Sequence, residues 1–468
     1  MPTQEMSALL EFRWQPQPMA QKLVDDLSTD FRLRCPPAAA LAKRMKSDTG
    51  TRFNDWIDHI QSPRTTALVD RLWEAGYRRK PTNGAPDCYV HEGSTLPPIV
   101  LSRSSTMRIG IKVDSVLDFL CACNVADNPM NPDDDVQGEP LAPLRRAMAA
   151  RTEGAELWAI ERHGYRGYDL VPSDPRRTFL ATMHLEAFRR RQRFFPEEEL
   201  GFDHLEILID NSIADLGVDM TCDFFFAGER EYWQRRNRAA QFQKARQDRL
   251  GLGWANHDHH TYRSSRENFA RLIAIWEKLG FKCRERFYAG AEAGWGAQVM
   301  EQPVVGITTF NDVDMSPEEV LGDFSHDELP HRDELGTVGL WCALHGEAIL
   351  QAGMHHLECV FDWNLLRDQM LKDGHIKTMD PFTTFPYLRQ AFTEGEVWTV
   401  AEDRIKKLLE SEQITPAQAK QFKTSGAIGS HLENLERNDG YKGFNQQGVS
   451  EIISKTDPRK QHVAITGA

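Results

Sequence analysis

Residues 254–263 read Trp-Ala-Asn-His-Asp-His-His-Thr-Tyr-Arg, WANHDHHTYR, and hold three histidines in four positions. The stretch from Asn256 reads as a short strand, on which alternate side chains share a face. His257 and His259 then point one way, Asp258 and His260 the other. A strand offers rigid, inward-pointing ligands, and imidazole suits zinc, iron, copper and nickel. Two histidines and one carboxylate would hold iron(II) with positions left open. The carboxylate must come from elsewhere, and Glu186, Glu301 and Glu334 sit in strand-like segments. Hydrogen-bonded core histidines fit the same pattern.

Outward from this strand, the helix SRENFARLIAIWEKLGF follows, with Phe269, Leu272, Ile273, Trp276 and Leu279 at helical spacing. WGAQVMEQP, VVGITTF and ELGTVGLWCAL then read as strands. An earlier stretch repeats the order: strand STMRIGIKV, helix DSVLDFLCACN, then strands AELWAIERHGY and RTFLATMHLEAF. Two such copies predict an α+β fold: paired β-α-β-β-β modules forming a curved mixed sheet around a cavity, with added helices at both ends. Three regions are expected: an N-terminal helical region over 1–95, the paired core over 96–350 with an inserted charged surface helix near 228–250, and a helical and turn region over 351–468 that completes the site. In that last region Thr415 reads as a helix N-cap with Pro416 behind it.

The chain has 468 residues, 40% of them apolar, and a net charge of -13, which suits a large soluble core and argues against nucleic acid as a partner. A small anionic substrate held by one or two arginines fits. The eight scattered cysteines include no CxxC pair and read as reduced thiols of a cytoplasmic protein. No apolar run spans a bilayer, so no membrane partner is expected. No P-loop, GxSxG elbow or dinucleotide fingerprint occurs. His355 and His356 read as core or helix-end residues, and His326 and His331 as surface.

The motifs DHHTYR, DELGTVGLWCALHGEAILQAG, RSSTMRIG and ITPAQAKQFKTSGAIGSHL resemble those of the 2-oxoadipate dioxygenase/decarboxylase family, over about residues 95–435. The resemblance implies a vicinal-oxygen-chelate-like fold and non-haem iron(II), or another divalent metal. It places metal ligands at His259 and Glu334, a substrate-carboxylate arginine at Arg108 and a substrate-contacting serine at Ser425. The family's other metal histidine falls on Ser104, a poor iron ligand. His184, with Glu186 or His257 as substitutes, is then expected to fill the set. The implied activity is an oxygenase (a dioxygenase, an oxidoreductase) acting on a small 2-oxo or hydroxy acid, with decarboxylation. A metal-dependent isomerase or lyase of the same superfamily, or a metal-free binding module, are the alternatives, and a homodimer is an expected assembly.

Overall fold

The computed structural model describes residues 14–124, 136–172, 174–290, 293–444 and 457–460. Helices α1 (Pro18–Arg34) and α2 (Pro36–Arg44) lead in, each with proline in its first turn, where no N–H partner is needed. A first β-α-β-β-β module follows: β1 (Ile57–Pro63), α3 (Thr66–Glu74), β2 (Arg78–Arg79), β3 (Cys88–Val90) and β4 (Ile99–Ser102). The second is β5 (Met107–Lys112), α4 (Val116–Asn124), β6 (Val136–Gln137), β7 (Leu144–Thr152) and β8 (Ala155–Arg162). Four helices link the halves: α5 (Pro175–Arg189), α6 (Glu198–Leu216), α7 (Val218–Arg235) and α8 (Arg238–Asp248).

The third module is β9 (His257–Arg263), α9 (Phe269–Lys278), β10 (Lys282–Tyr288), β11 (Trp295–Gln302) and β12 (Ile307–Asp314). After α10 (Thr337–His345) comes the fourth: β13 (His356–Val360), α11 (Trp363–Gly374), β14 (Thr383–Phe385), β15 (Leu388–Phe392) and, beyond an insertion, β17 (Ala427–Arg437). The insertion holds β16 (Glu396–Trp398), α12 (Glu402–Glu410) and α13 (Pro416–Ser425), the last opened by the expected Thr415 cap.

Strand order is β2-β3-β4-β1-β5-β8-β7-β6 in one sheet and β10-β11-β12-β9-β13-β17-β15-β14 in the other, with β16 attached to β17. The two orders are the same order. In each, the first strands of two modules meet antiparallel at the centre, β1 on β5 and β9 on β13. The fold is therefore the expected α+β array of paired modules, but with four modules in two sheets rather than two in one. The alternation of each strand divides its faces: Met107, Ile109 and Ile111 join one core, while Arg108 and Lys112 face the other way. Among the described residues no helix is long and apolar enough to cross a membrane.

Several expectations are corrected. Region 1–95 holds β1–β3 as well as helices, and region 351–468 holds a whole module. The segment with His184 and Glu186 is helix α5, not a strand, because Asp174 accepts the Arg176 N–H and Pro175 fills the first helical position. The stretch 202–226 forms α6 and part of α7. ELGTVGLWCAL forms α10; Val338, Leu340, Trp341 and Leu344 are all buried, so it lacks the polar face that betrays a helix. The charged stretch near 228–250 is two helices, broken where the Asn237 side chain caps α8. It is not a solvated face: Glu229 is 1% exposed and is held by Arg191 at 2.9 Å and by Arg193.

Gly110 on β5 faces His59 across the β1–β5 ladder. A Cβ there would stand 2.7 Å from Ile160 Cγ1 and 2.8 Å from His59 Cε1. Gly110→Ala should cost about 1–3 kcal/mol in urea unfolding, the usual cost of overpacking. A variant as stable as the parent would contradict this close approach.

Candidate metal centre

Three adjacent strands of the second sheet bring one row of polar side chains together. Register pairs His259 of β9 with Glu358 of β13, and Glu358 with Glu433 of β17. Directly opposed residues have Cβ atoms about 5 Å apart. One ligand atom from each of the three lies within 4.8 Å of the others, and all three side chains are buried.

Each member is oriented by a neighbour. His259 Nδ1 is 2.8 Å from Asp258 Oδ2, so the ring donates there and turns the Nε2 lone pair inward. Thr261 donates to Glu358 Oε1 at 2.7 Å, and Gln390 donates to Glu433 Oε1 at 2.8 Å. His259 Nε2 then faces Glu358 Oε1 at 3.3 Å, and Glu358 Oε2 is buried with no hydrogen-bond partner. One imidazole nitrogen and two buried carboxylates converge here, a donor set that fits a divalent cation.

Electrostatics agree. Burial raises Glu358 well above the usual carboxyl range, and the facing Glu433 charge adds to it. Burial likewise pushes Glu433 up to about 8, with Asp258 adding to the rise while a hydrogen bond with the Glu358 carboxyl, Gln390 and Arg437 oppose it. The pair either shares protons or takes a cation. Burial outweighs the Asp258 charge and lowers His259, keeping it neutral and ligand-ready.

The cavity at this row has about 70 Å³ and aromatic walls that include Phe310, Phe392 and Phe444. Phe444 sets its edge on the His259 ring, centroids 4.7 Å apart. Arg263, two strand pairs along from His259 on the same face, lines the cavity and lies 3.5 Å from Asp312. Burial raises Asp312 to about 7 in spite of Arg263.

The structure brings His259 into this row and leaves the other expected residues elsewhere. His184, on α5, pairs with Asp215 at 2.7 Å, and Glu186 pairs with Arg189 and Arg190. Glu334 is exposed in the loop before α10. Glu301 is held by Lys442 and Arg284. Arg108 is on the first sheet, bound to Glu156 at 2.7 Å, and exposed Ser104 precedes β5. Ser425 ends α13, 3.4 Å from the Thr424 hydroxyl. None of these lines the cavity, and neither does His257. His356 does line it, 3.4 Å from Glu358, which corrects its reading as simple core. His326 and His331 are exposed, as expected.

The first half repeats the framework without the ligands. Its row is His59, Gly110 and Trp158, with a glycine and an indole where the carboxylates would stand. Its support is duplicated atom for atom. Arg162 binds Asp58 at 2.7 and 2.9 Å and donates to the Tyr165 and Gly167 carbonyls. Arg437 binds Asp258 at 2.7 and 2.9 Å and donates to those of Tyr441 and Gly443. Sequence held this signal in RHGYRGY (162–168) and RNDGYKGF (437–444), each preceded far upstream by Asp-His.

No family model matches the sequence, and no curated protein does. Solved structures give distant likenesses. Methylmalonyl-CoA epimerase from Mycobacterium tuberculosis is 10% identical over 39% of this chain and 89% of its own, with a TM-score of 0.23. A mutant of 4-hydroxymandelate synthase from Streptomyces coelicolor is 11% identical over 87% of this chain and 98% of its own, at 0.24. A xylose isomerase-like TIM barrel/4-hydroxyphenylpyruvate dioxygenase fusion protein is 8% identical over 90% of this chain and 56% of its own, at 0.22. The fold reading rests on the strand order itself.

The raised carboxyls fix the sign of a pH effect. An acid whose folded value lies above its unfolded one stabilises the fold at low pH and loses that contribution as pH rises through the folded value. Metal-free protein should therefore melt at progressively lower temperature from about pH 5 to about pH 9, and saturating Mn(II) should flatten that slope. Equal slopes with and without the cation would count against the row as a metal centre.

Proposed function

We propose that this chain is a divalent-metal-dependent oxygenase acting on a small 2-oxo or hydroxy acid. The observation that carries the reading is the oriented, buried row of His259, Glu358 and Glu433. One imidazole and two carboxylates suit iron(II) or manganese(II). The bound ion would act as a Lewis acid on two adjacent substrate oxygens and leave a position for dioxygen.

The chain's own residues supply the rest. Asp258 holds the His259 tautomer, and Thr261 and Gln390 hold the carboxylates. Arg263, 3% exposed, is the cation of the pocket and offers a fork to a substrate carboxylate. The aromatic walls exclude water, and the small cavity selects a compact acid. Neutral His356 stands beside Glu358 within reach of a bound ligand's proton.

A second reading has its own support. The row holds one histidine and two carboxylates, an oxygen-rich set that also serves a metal-dependent isomerase or lyase needing no oxygen. Oxygen uptake with small 2-oxo acids separates the two.

Metal-loaded protein should retain about one ion per chain, and His259→Ala should weaken retention by tenfold or more. Arg263→Met should raise KM for a 2-oxo acid while leaving the metal in place. Turnover of such acids without oxygen uptake would favour the isomerase or lyase, and a chain that retains no divalent ion would leave only a binding module.

A further inference from the structure

A chamber of about 2360 Å³ is lined by both sheets and by α1, α5 and α7. Its acids are mostly matched. Arg52 holds Asp55 at 2.8 Å, Arg162 holds Asp58 at 2.7 Å and Arg437 holds Asp258 at 2.7 Å. Lys442 holds Glu301 at 2.8 Å. His163 sits between Asp223 and Glu161, at 2.8 and 3.1 Å.

Among the described residues six of its lining cations make no ion pair within 4.0 Å, and three of them, Arg32, Lys43 and Lys46, stand on or just after α1 and α2. The other three are Lys112, Arg166 and Arg230. Arg230 is 8% exposed, and its side chain's hydrogen-bond partner is another base, His260 Nε2, at 3.3 Å. His257 lies beside it, its ring 5.1 Å from that of His260 and its buried Nδ1 without a partner. The carboxylates that face Lys112 are Asp58, Asp55 and Asp258, each already held by its arginine, and Arg166 adds repulsion. Asp114 faces Arg230 but accepts the Trp254 N–H at 2.6 Å. Burial lowers Lys112 despite the nearby acids, and burial, Arg230 and Lys112 together lower His257, while Arg166 is exposed at the chamber's edge and donates to the Val304 carbonyl at 3.0 Å. Buried Arg230 and half-buried Lys112 thus lack an acid of their own, in a space large enough for an organic ligand.

We propose that Lys112, Arg166 and Arg230 form a binding site for a multiply charged oxyanion in this chamber, separate from the metal centre. Its chemistry is that of a phosphate or a dicarboxylate.

The test is calorimetric titration of the full chain with inorganic phosphate and, separately, with malonate at low ionic strength. Binding of either supports the site, and the stronger of the two names the class. Lys112→Met and Arg230→Gln should each weaken binding about tenfold or more, the loss of one buried charged contact. Lys112→Arg should restore it, which separates charge from folding. His259→Ala should bind the anion as the parent does, so failure of the metal reading leaves this result intact. No binding of either anion, or unchanged affinity in Lys112→Met, overturns the proposal.

Discussion

The fork between Arg437 and Asp258 is the contact on which the site depends. It ties the last strand of the fourth module to the first strand of the third, and Arg437 also holds the turn that carries Phe444. Asp258 in turn fixes the His259 ring. One buried charge pair thus ties together the two strands that flank β13 and sets a tautomer and a cavity wall. A buried pair of this kind gives little net stability, but losing either partner strands a charge and costs about 3–5 kcal/mol. Its main product is geometry.

The same fork recurs at Arg162 and Asp58, so the two halves share one scaffold and differ in what stands on it. Where the second half presents Glu358 and Glu433, the first presents Gly110 and Trp158. Ile160 and His59 close over Gly110, leaving no space for a side chain there. Trp158 hydrogen-bonds to Glu156 and stacks near Arg108 and Arg146. A duplicated framework can keep its supports after one copy gives up its ligands, because supports hold strands together and ligands do not.

Local pattern explains what was legible in the sequence. The histidine strand could be read because three imidazoles in four residues are rare in a β pattern, and His259 is indeed in the row. The second and third modules could be read because β5, α4, β9 and α9 have clear periodicity. The first and fourth were missed: β2 and β3 are two and three residues long, and β17 is separated from β15 by an insertion. The carboxylates were missed for a sharper reason. The tripeptide His-Leu-Glu occurs at 184–186, 204–206, 356–358 and 431–433. The first two are on helices, and the last two lie side by side on paired strands. Local sequence does not tell these apart; strand register does. Glu334 was drawn from a motif whose segment forms a buried helix, which a strand reading could not anticipate.

The central claim is that one divalent cation is bound by His259, Glu358 and Glu433. Anomalous diffraction from crystals grown with Fe(II) or Mn(II) tests it most directly. The predicted result is a single strong peak bonded to His259 Nε2 and to one oxygen of each glutamate. A peak bonded to other side chains, or no peak while Glu358 and Glu433 hold a hydrogen bond to one another, would contradict it.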